Sequence, residues 1–135
     1  MKRFLSVLCL TIILASFLTA AAPVPTTTFT LVQGLPETMN VGETYTVIVQ
    51  VDSDQQFLFA HAMPSFYYPG RGVVAVQGGD RAGSGTSATL EITFKAKSPT
   101  ARMTDGVAPV YFVVGVRYGG GYTAVQEYLF NVAVP

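Results

Sequence analysis

Apolar and polar residues alternate with a period of two in several stretches of this chain, and this pattern constrains the fold more than any other feature. The clearest case is TSATLEITFK at 86–95, whose alternate apolar side chains are Ala88, Leu90, Ile92 and Phe94. Successive side chains of a β-strand point to opposite faces of a sheet, so this segment predicts a strand with one buried face. We find no helical period longer than two turns, and Val, Thr, Tyr and Phe are abundant, which favours strands.

Turn-forming residues divide the chain into further predicted strands. Together with the segment at 86–95, the predicted strands are residues 27–33, 44–52, 57–63, 72–77, 86–95, 108–118 and 122–134. Their spacing of roughly ten to fifteen residues, with no helical segment between them, predicts an all-β fold, an antiparallel two-sheet immunoglobulin-like sandwich of about seven strands. Gly119, Gly120 and Gly121 indicate a hairpin turn between the last two strands, because glycine accepts positive φ.

Residues 1–21 are predicted to be a secretory signal peptide. Two early cations, an unbroken apolar run and small residues occur in MKRFLSVLCLTIILASFLTAAA, which is typical of such a peptide. Cleavage is expected after Ala21, since a cut one residue later would place Pro23 directly after the break; an uncleaved anchor is the alternative. The sole cysteine, Cys9, lies in this segment, so a single domain at 22–135 is expected to be held by its core without disulfides.

The balance of charges gives no reason to expect nucleic acid as a partner. The chain has eight Lys and Arg and eight Asp and Glu, and loss of Lys2 and Arg3 with the signal peptide leaves six basic against eight acidic residues. We find no basic stripe that would follow a phosphate backbone. The mature domain is expected to be secreted, periplasmic or at the cell surface, without membrane contact after cleavage.

Neither an enzyme nor a metal site is suggested by the residues. His61 is the one histidine of the chain; its position matches the parity of Phe57 and Phe59, and it is interpreted as a strand residue at a sheet edge or rim. Asp52 and Asp54 have the spacing of some calcium loops, but no glycine or glutamate completes the pattern. A solvated turn is therefore favoured over a partial calcium site. We expect no catalytic residues, no cofactor and no metal.

The segment FYYPGRGVVAVQGGDRAGSG at 66–85 contains the candidate binding site. Its glycine-rich end lacks the lysine and the following helix of a phosphate-binding loop, so it is interpreted as turns. Phe66, Tyr67 and Tyr68 lie between two prolines in a predicted loop, where at least one ring should be exposed. With Arg71 they form a candidate surface for a sugar or a partner protein. The alternative is that the rings plug the end of the sandwich.

Two segments resemble exported bacterial immunoglobulin-like domains, including the fibronectin type III family. VYFVVGVRYGGGYTAVQEYLFNVAV resembles the end of such domains, where a glycine-rich turn joins the last two strands, called F and G. LPETMNVGETYTVIVQV resembles the region of their first two strands, called A and B. On this resemblance Tyr111 matches the tyrosine that closes the corner between strands E and F, although the tryptophan usual in these cores is missing. The family resemblance implies a sandwich, a fold that serves adhesion, sugar binding, spacing and assembly alike.

A non-catalytic interaction domain that binds an envelope protein or a surface polysaccharide is the leading prediction. The alternative is a structural subunit that self-associates, in which the segment APVPTTTFTLV adds as a strand to a neighbouring copy. Whether residues 26–33 pair within their own chain distinguishes the two.

Overall fold

The computed structural model describes residues 21–64, 73–97 and 106–133, and in these ranges the chain is all-β. The strands are β1 (Thr27–Gln33), β2 (Thr38–Asn40), β3 (Thr44–Pro64), β4 (Val74–Gly78), β5 (Arg81–Ala82), β6 (Gly85–Ala96), β7 (Val107–Tyr118) and β8 (Thr123–Ala133). Their hydrogen bonds join them into one mixed sheet, in which β2 is parallel to β8 and the other neighbours are antiparallel. The predicted all-β class is confirmed, whereas a purely antiparallel pairing is wrong.

Strand β3, which is 21 residues long, is the element to which most others are joined. Its first half pairs with β1 on one side and with β6 on the other. Its second half pairs with β7 and with β5. The two strands predicted at 44–52 and 57–63 are therefore halves of one continuous strand, and each half has its own neighbours.

The register of β3 changes between its two halves. Relative to β6 it shifts between Asp52 and Phe57, and relative to β7 it shifts between Phe57 and Phe59. Bulges of this kind bend a strand and increase its twist.

The predicted turn at Asp52 and Asp54 is wrong, because both residues continue the strand. The Asp54 carboxylate accepts a hydrogen bond of 2.9 Å from the Thr26 N–H.

The core lies on the face that the alternation of β6 predicts. Leu90, Ile92 and Phe94 are buried, while Glu91 is exposed. The ring of Phe94 lies 5.0 Å from that of Phe112 on β7 and 5.5 Å from that of Phe130 on β8, measured between centroids. Strand β6 is not a hydrogen-bonded neighbour of β7 or β8, so these aromatic contacts connect parts of the sheet that are distant in its strand order.

Strand β2 has only three residues and was not predicted, but its central side chain, Met39, is buried in the core. The turn from β2 to β3 contains Gly42, which has a φ of 91°. Glycine adopts this conformation more readily than other residues because it has no Cβ. The Glu43 carboxylate accepts hydrogen bonds from the Asn40 side-chain amide at 2.9 Å and backbone N–H at 2.7 Å. These two bonds favour the ionised form and lower the pKa of Glu43 below its ordinary value.

The other predicted elements agree with the structure to within a few residues. Strand β1 has the predicted bounds, and the glycine triplet forms the turn between β7 and β8, with positive φ at Gly120 and Gly121. The glycine-rich end of 66–85 contains the unpredicted strand β5. Tyr111 lies inside β7, opposite Leu129, and its predicted role in closing a corner between strands stays a prediction. The predicted signal peptide lies outside the described residues except for Ala21.

The faces of β6 can be tested with two neighbouring substitutions. Ile92→Asp is expected to unfold the domain, because it buries an unpaired charge and costs several kcal/mol against a total stability of about 5–15 kcal/mol. Glu91→Ala should change the free energy of unfolding by less than about 0.5 kcal/mol, as exposed positions usually do. Urea denaturation followed by circular dichroism measures both. Equal effects would show that the faces are assigned wrongly.

Gly79 can be tested against a second glycine of the same segment. It has a φ of 72°, and a Cβ at this position would overlap the carbonyl oxygen of Glu91. Gly79→Ala should therefore cost about 2 kcal/mol or more. Gly83 has no atom near its would-be Cβ and no positive φ, so Gly83→Ala is the matched control and should change stability by less than about 0.5 kcal/mol. Similar unfolding midpoints for the two variants would contradict this account.

Candidate functional site

The predicted binding residues, Phe66, Tyr67, Tyr68 and Arg71, lie outside the described residues, so their role stays a prediction. Strand β3 precedes them in the chain and is described up to Pro64. Its second half carries a set of exposed side chains, and these form the candidate site of the described structure.

An open groove of about 630 Å³ lies beside the second half of β3. Its lining residues are Phe59, Ala60, His61, Met63, Arg81, Ala82 and Gly83. Strands β3 and β5 pair here, with His61 opposite Arg81. The backbone N–H of Ala62 also donates a hydrogen bond of 2.7 Å to the carbonyl of Asp80. The two chain segments that line the groove are therefore joined by backbone hydrogen bonds.

The bulge in β3 explains why the apolar side chains of the groove are exposed. Phe57 is buried, whereas Phe59, two residues later, is 43% exposed. Leu58 lies where the register with β7 shifts, and it is 55% exposed. The expectation that Phe57, Phe59 and His61 share one face is wrong, because the extra residue reverses the alternation. Simple parity could not have identified Phe59 as a surface residue.

The imidazole of His61 lies across Gly115 of β7. The two residues are directly opposite each other in the ladder, and a Cβ at position 115 would lie 3.3 Å from His61 Cε1. The ring centroid of His61 is 5.6 Å from that of Phe59. His61 pairs with β7 on one side and with β5 on the other, so the prediction that it lies at a sheet edge is wrong. The absence of a side chain at Gly115 lets the imidazole lie close to the sheet.

The Nδ1 atom of His61 is buried and has no hydrogen-bond partner among the described residues. Buried polar atoms in folded proteins are nearly always hydrogen-bonded, because an unpaired one loses its interaction with water and gains nothing in return. The unpaired Nδ1 of His61 therefore costs stability, about 1–3 kcal/mol for a buried group of this kind.

Arg81 provides a positive charge at the rim of the groove. Its side chain is 86% exposed, and its Nε lies 3.8 Å from Oδ2 of Asp80. An exposed pair of this kind contributes little to stability. The guanidinium group can therefore turn to an acceptor on a ligand at small cost.

Exposed apolar side chains continue from the groove across the outer face of the sheet. Val125 of β8 lies opposite Gly115 and is 60% exposed, and Leu129 is also exposed. Exposed apolar side chains therefore lie on β3, at Phe59 and Met63, and on β8, at Val125 and Leu129, with β7 between the two strands. Clusters of exposed apolar residues mark interaction sites more often than scattered ones do.

The described residues that line the groove supply both apolar and polar groups. Among them, no three His, Cys, Asp or Glu side chains lie close enough together to hold a metal ion. In the same ranges, no helix has the length and hydrophobicity needed to cross a membrane. The groove combines two rings, a thioether and a guanidinium group, which suit a ligand with both apolar and polar parts.

Comparison with known proteins finds no protein-family model that matches this chain and no characterised protein with significant similarity to it. The site is therefore interpreted from its geometry.

The contact between His61 and Gly115 predicts a local effect of Gly115→Ala. The added methyl group would crowd Cε1, so the imidazole should move and the Cε1–H resonance of His61 should shift in a ¹H–¹³C spectrum. The chain has one histidine, so this resonance is unambiguous. Gly119 has open space around its would-be Cβ, and Gly119→Ala should leave the resonance unchanged. An unshifted resonance in Gly115→Ala would contradict the placement of the ring.

Proposed function

We propose that this protein is a non-catalytic exported interaction domain that binds an envelope protein or a surface polysaccharide through the groove beside β3. The observation that carries the proposal is the exposure of Phe59 and Met63, 43% and 40%, on strands that are fixed by hydrogen bonds. Aromatic rings and methionines are enriched in interfaces, where one well-packed side chain contributes about 2 kcal/mol or more. Because the strands are already ordered, binding does not incur the entropic cost of ordering the site.

We further propose that the strands form the two layers of an immunoglobulin-like sandwich related to fibronectin type III domains. One group of hydrogen-bonded neighbours is β1, β3, β6 and β4, the other is β2, β8, β7, β3 and β5, and β3 is common to both. The contacts of Phe94 with Phe112 and Phe130 support face-to-face packing of the two groups. The signal-like N-terminal segment supports export to the periplasm, the cell surface or the medium.

The pairing of β1 favours this function over a subunit that donates its first strand. Residues 27–33 are in a ladder with β3 of the same chain. Donation of this segment to a neighbour would require those hydrogen bonds to break first, whereas binding at the groove requires no rearrangement.

The groove is tested with the double variant Phe59→Ser/Met63→Ser. Both side chains are already exposed, so the melting temperature should stay nearly unchanged, while affinity should fall about thirtyfold, which corresponds to about 2 kcal/mol. Ligands are first captured on the immobilised exported protein, from an envelope extract and from a panel of purified polysaccharides. Binding is then measured by calorimetry. Val41 is exposed in the turn before β3, and Val41→Ser is the matched control.

Two outcomes would contradict the proposal: capture of no ligand from either source, or equal affinities for the double variant and the control. The predicted loop is compared in parallel with Tyr67→Ser/Tyr68→Ser. Weaker binding with an unchanged melting temperature would assign recognition to that loop as well. A decrease of about ten degrees or more would instead show that its rings are buried, since large-to-small changes in a core cost several kcal/mol.

A further inference from the structure

Strand β1 has an unpaired edge. Within the described residues it pairs with β3 alone. The carbonyl of Thr26, the residue before β1, accepts a hydrogen bond of 3.2 Å from the Asp54 N–H of β3. In an antiparallel strand the backbone groups of successive residues point alternately to its two sides. Because Thr26 points to β3, so do Thr28 and Thr30. The N–H and C=O groups of the intervening residues, Thr27, Phe29 and Leu31, therefore point away from the sheet.

This edge lacks the features that usually prevent strands from joining. Natural proteins protect edge strands with charges, prolines, short length or bulges. Residues 21–36 include no charged residue, and β1 itself has no proline. Its register is regular from Thr27 to Leu31 and shifts only after Leu31. By contrast, β2 has three residues and β5 has two, too few to pair strongly with another chain.

We propose that two copies of this chain associate through their β1 edges as antiparallel strands, with Phe29 of each copy on the two-fold axis. Thr27 then pairs with Leu31 of the partner copy, and Phe29 pairs with Phe29 of the partner copy. In this register every outward N–H from Thr27 to Leu31 meets a C=O of the other copy. The interface is closed, because the same surface is used on both copies.

The side chains of β1 are also self-complementary in this register. Thr28 and Thr30 are exposed on one side of the strand, and each lies opposite the other in the partner copy. Threonine pairs stabilise adjacent strands, and no like charges face each other. Phe29 packs against the core on the other side, and Leu31 is partly exposed next to it. The contact between copies covers that exposed apolar surface and extends the sheet from β3 of one copy to β3 of the other.

Sedimentation velocity of the exported protein over a range of concentrations tests the proposal, and wild type should form dimers. The double variant Thr28→Lys/Thr30→Lys places lysines opposite each other in two pairs and should raise the dimer dissociation constant about tenfold or more. Thr38 and Thr86 are exposed residues of other strands. Thr38→Lys/Thr86→Lys adds the same charge and should leave the constant unchanged.

Cysteine cross-linking tests the register and does not require a stable lysine variant. Thr28 and Thr30 of the partner form a non-hydrogen-bonded pair with Cα atoms about 4.5 Å apart, which suits a disulfide. Residues at the same position in the two copies are diagonal neighbours, about 7–8 Å apart, which is too far for a disulfide to form. A mixture of Thr28→Cys and Thr30→Cys proteins should give a cross-linked dimer on a non-reducing gel, and neither protein alone should. Oxidised wild type controls for Cys9.

Three results would overturn the proposal. One is a wild-type protein that stays monomeric at every concentration. The second is an equal dissociation constant for the two double-lysine variants, which would place the contact elsewhere. The third is a cross-link formed as readily by one cysteine protein alone as by the mixture. None of these bears on the groove, so the proposed function and the edge contact can fail separately.

Discussion

The bend in β3 is the constraint on which the rest of the structure depends. At the bend the strand exchanges β1 for β7 as its neighbour on one side. The hydroxyl of Tyr118, at the end of β7, connects β7 to β1 and β3 at this point. It lies 2.6 Å from Thr27 Oγ1 of β1 and donates a hydrogen bond of 2.7 Å to Ser53 Oγ of β3. Tyr118 is almost fully buried, so these bonds also satisfy a hydroxyl that would otherwise be costly to bury.

The same bend determines which side chains form the core and which form the groove. It leaves Phe57 buried, in edge-to-face contact with Tyr118 at 6.4 Å, and turns Phe59 and His61 outward. Gly115 then provides the space in which the His61 ring lies close to β7. The extra residue at Leu58 thus separates the buried side chain of Phe57 from the groove side chains that follow it.

The two proposed contact surfaces, the groove and the β1 edge, differ in how they would recognise a partner. The groove presents side chains, so its selectivity depends on the shape and polarity of the ligand. The β1 edge presents backbone groups and uncharged side chains, so its affinity comes from hydrogen bonds that any strand can form, and selectivity comes from the symmetry of its sequence. The edge adjoins the first half of β3, and the groove adjoins the second half.

The sequence by itself determined the all-β class, the bounds of β1, the buried face of β6 and the glycine turn between β7 and β8. These features depend on neighbouring residues, through side-chain alternation and the φ preference of glycine. Tertiary structure decided that β3 is continuous, that β2 runs parallel to β8, and that Phe59 and His61 face the groove. The predicted site residues, Phe66 to Tyr68 and Arg71, lie outside the described ranges, and the groove was not predicted. The physical reason is that strand register is set by hydrogen bonds between segments far apart in the chain, and a shift of one residue reverses which side chains are buried.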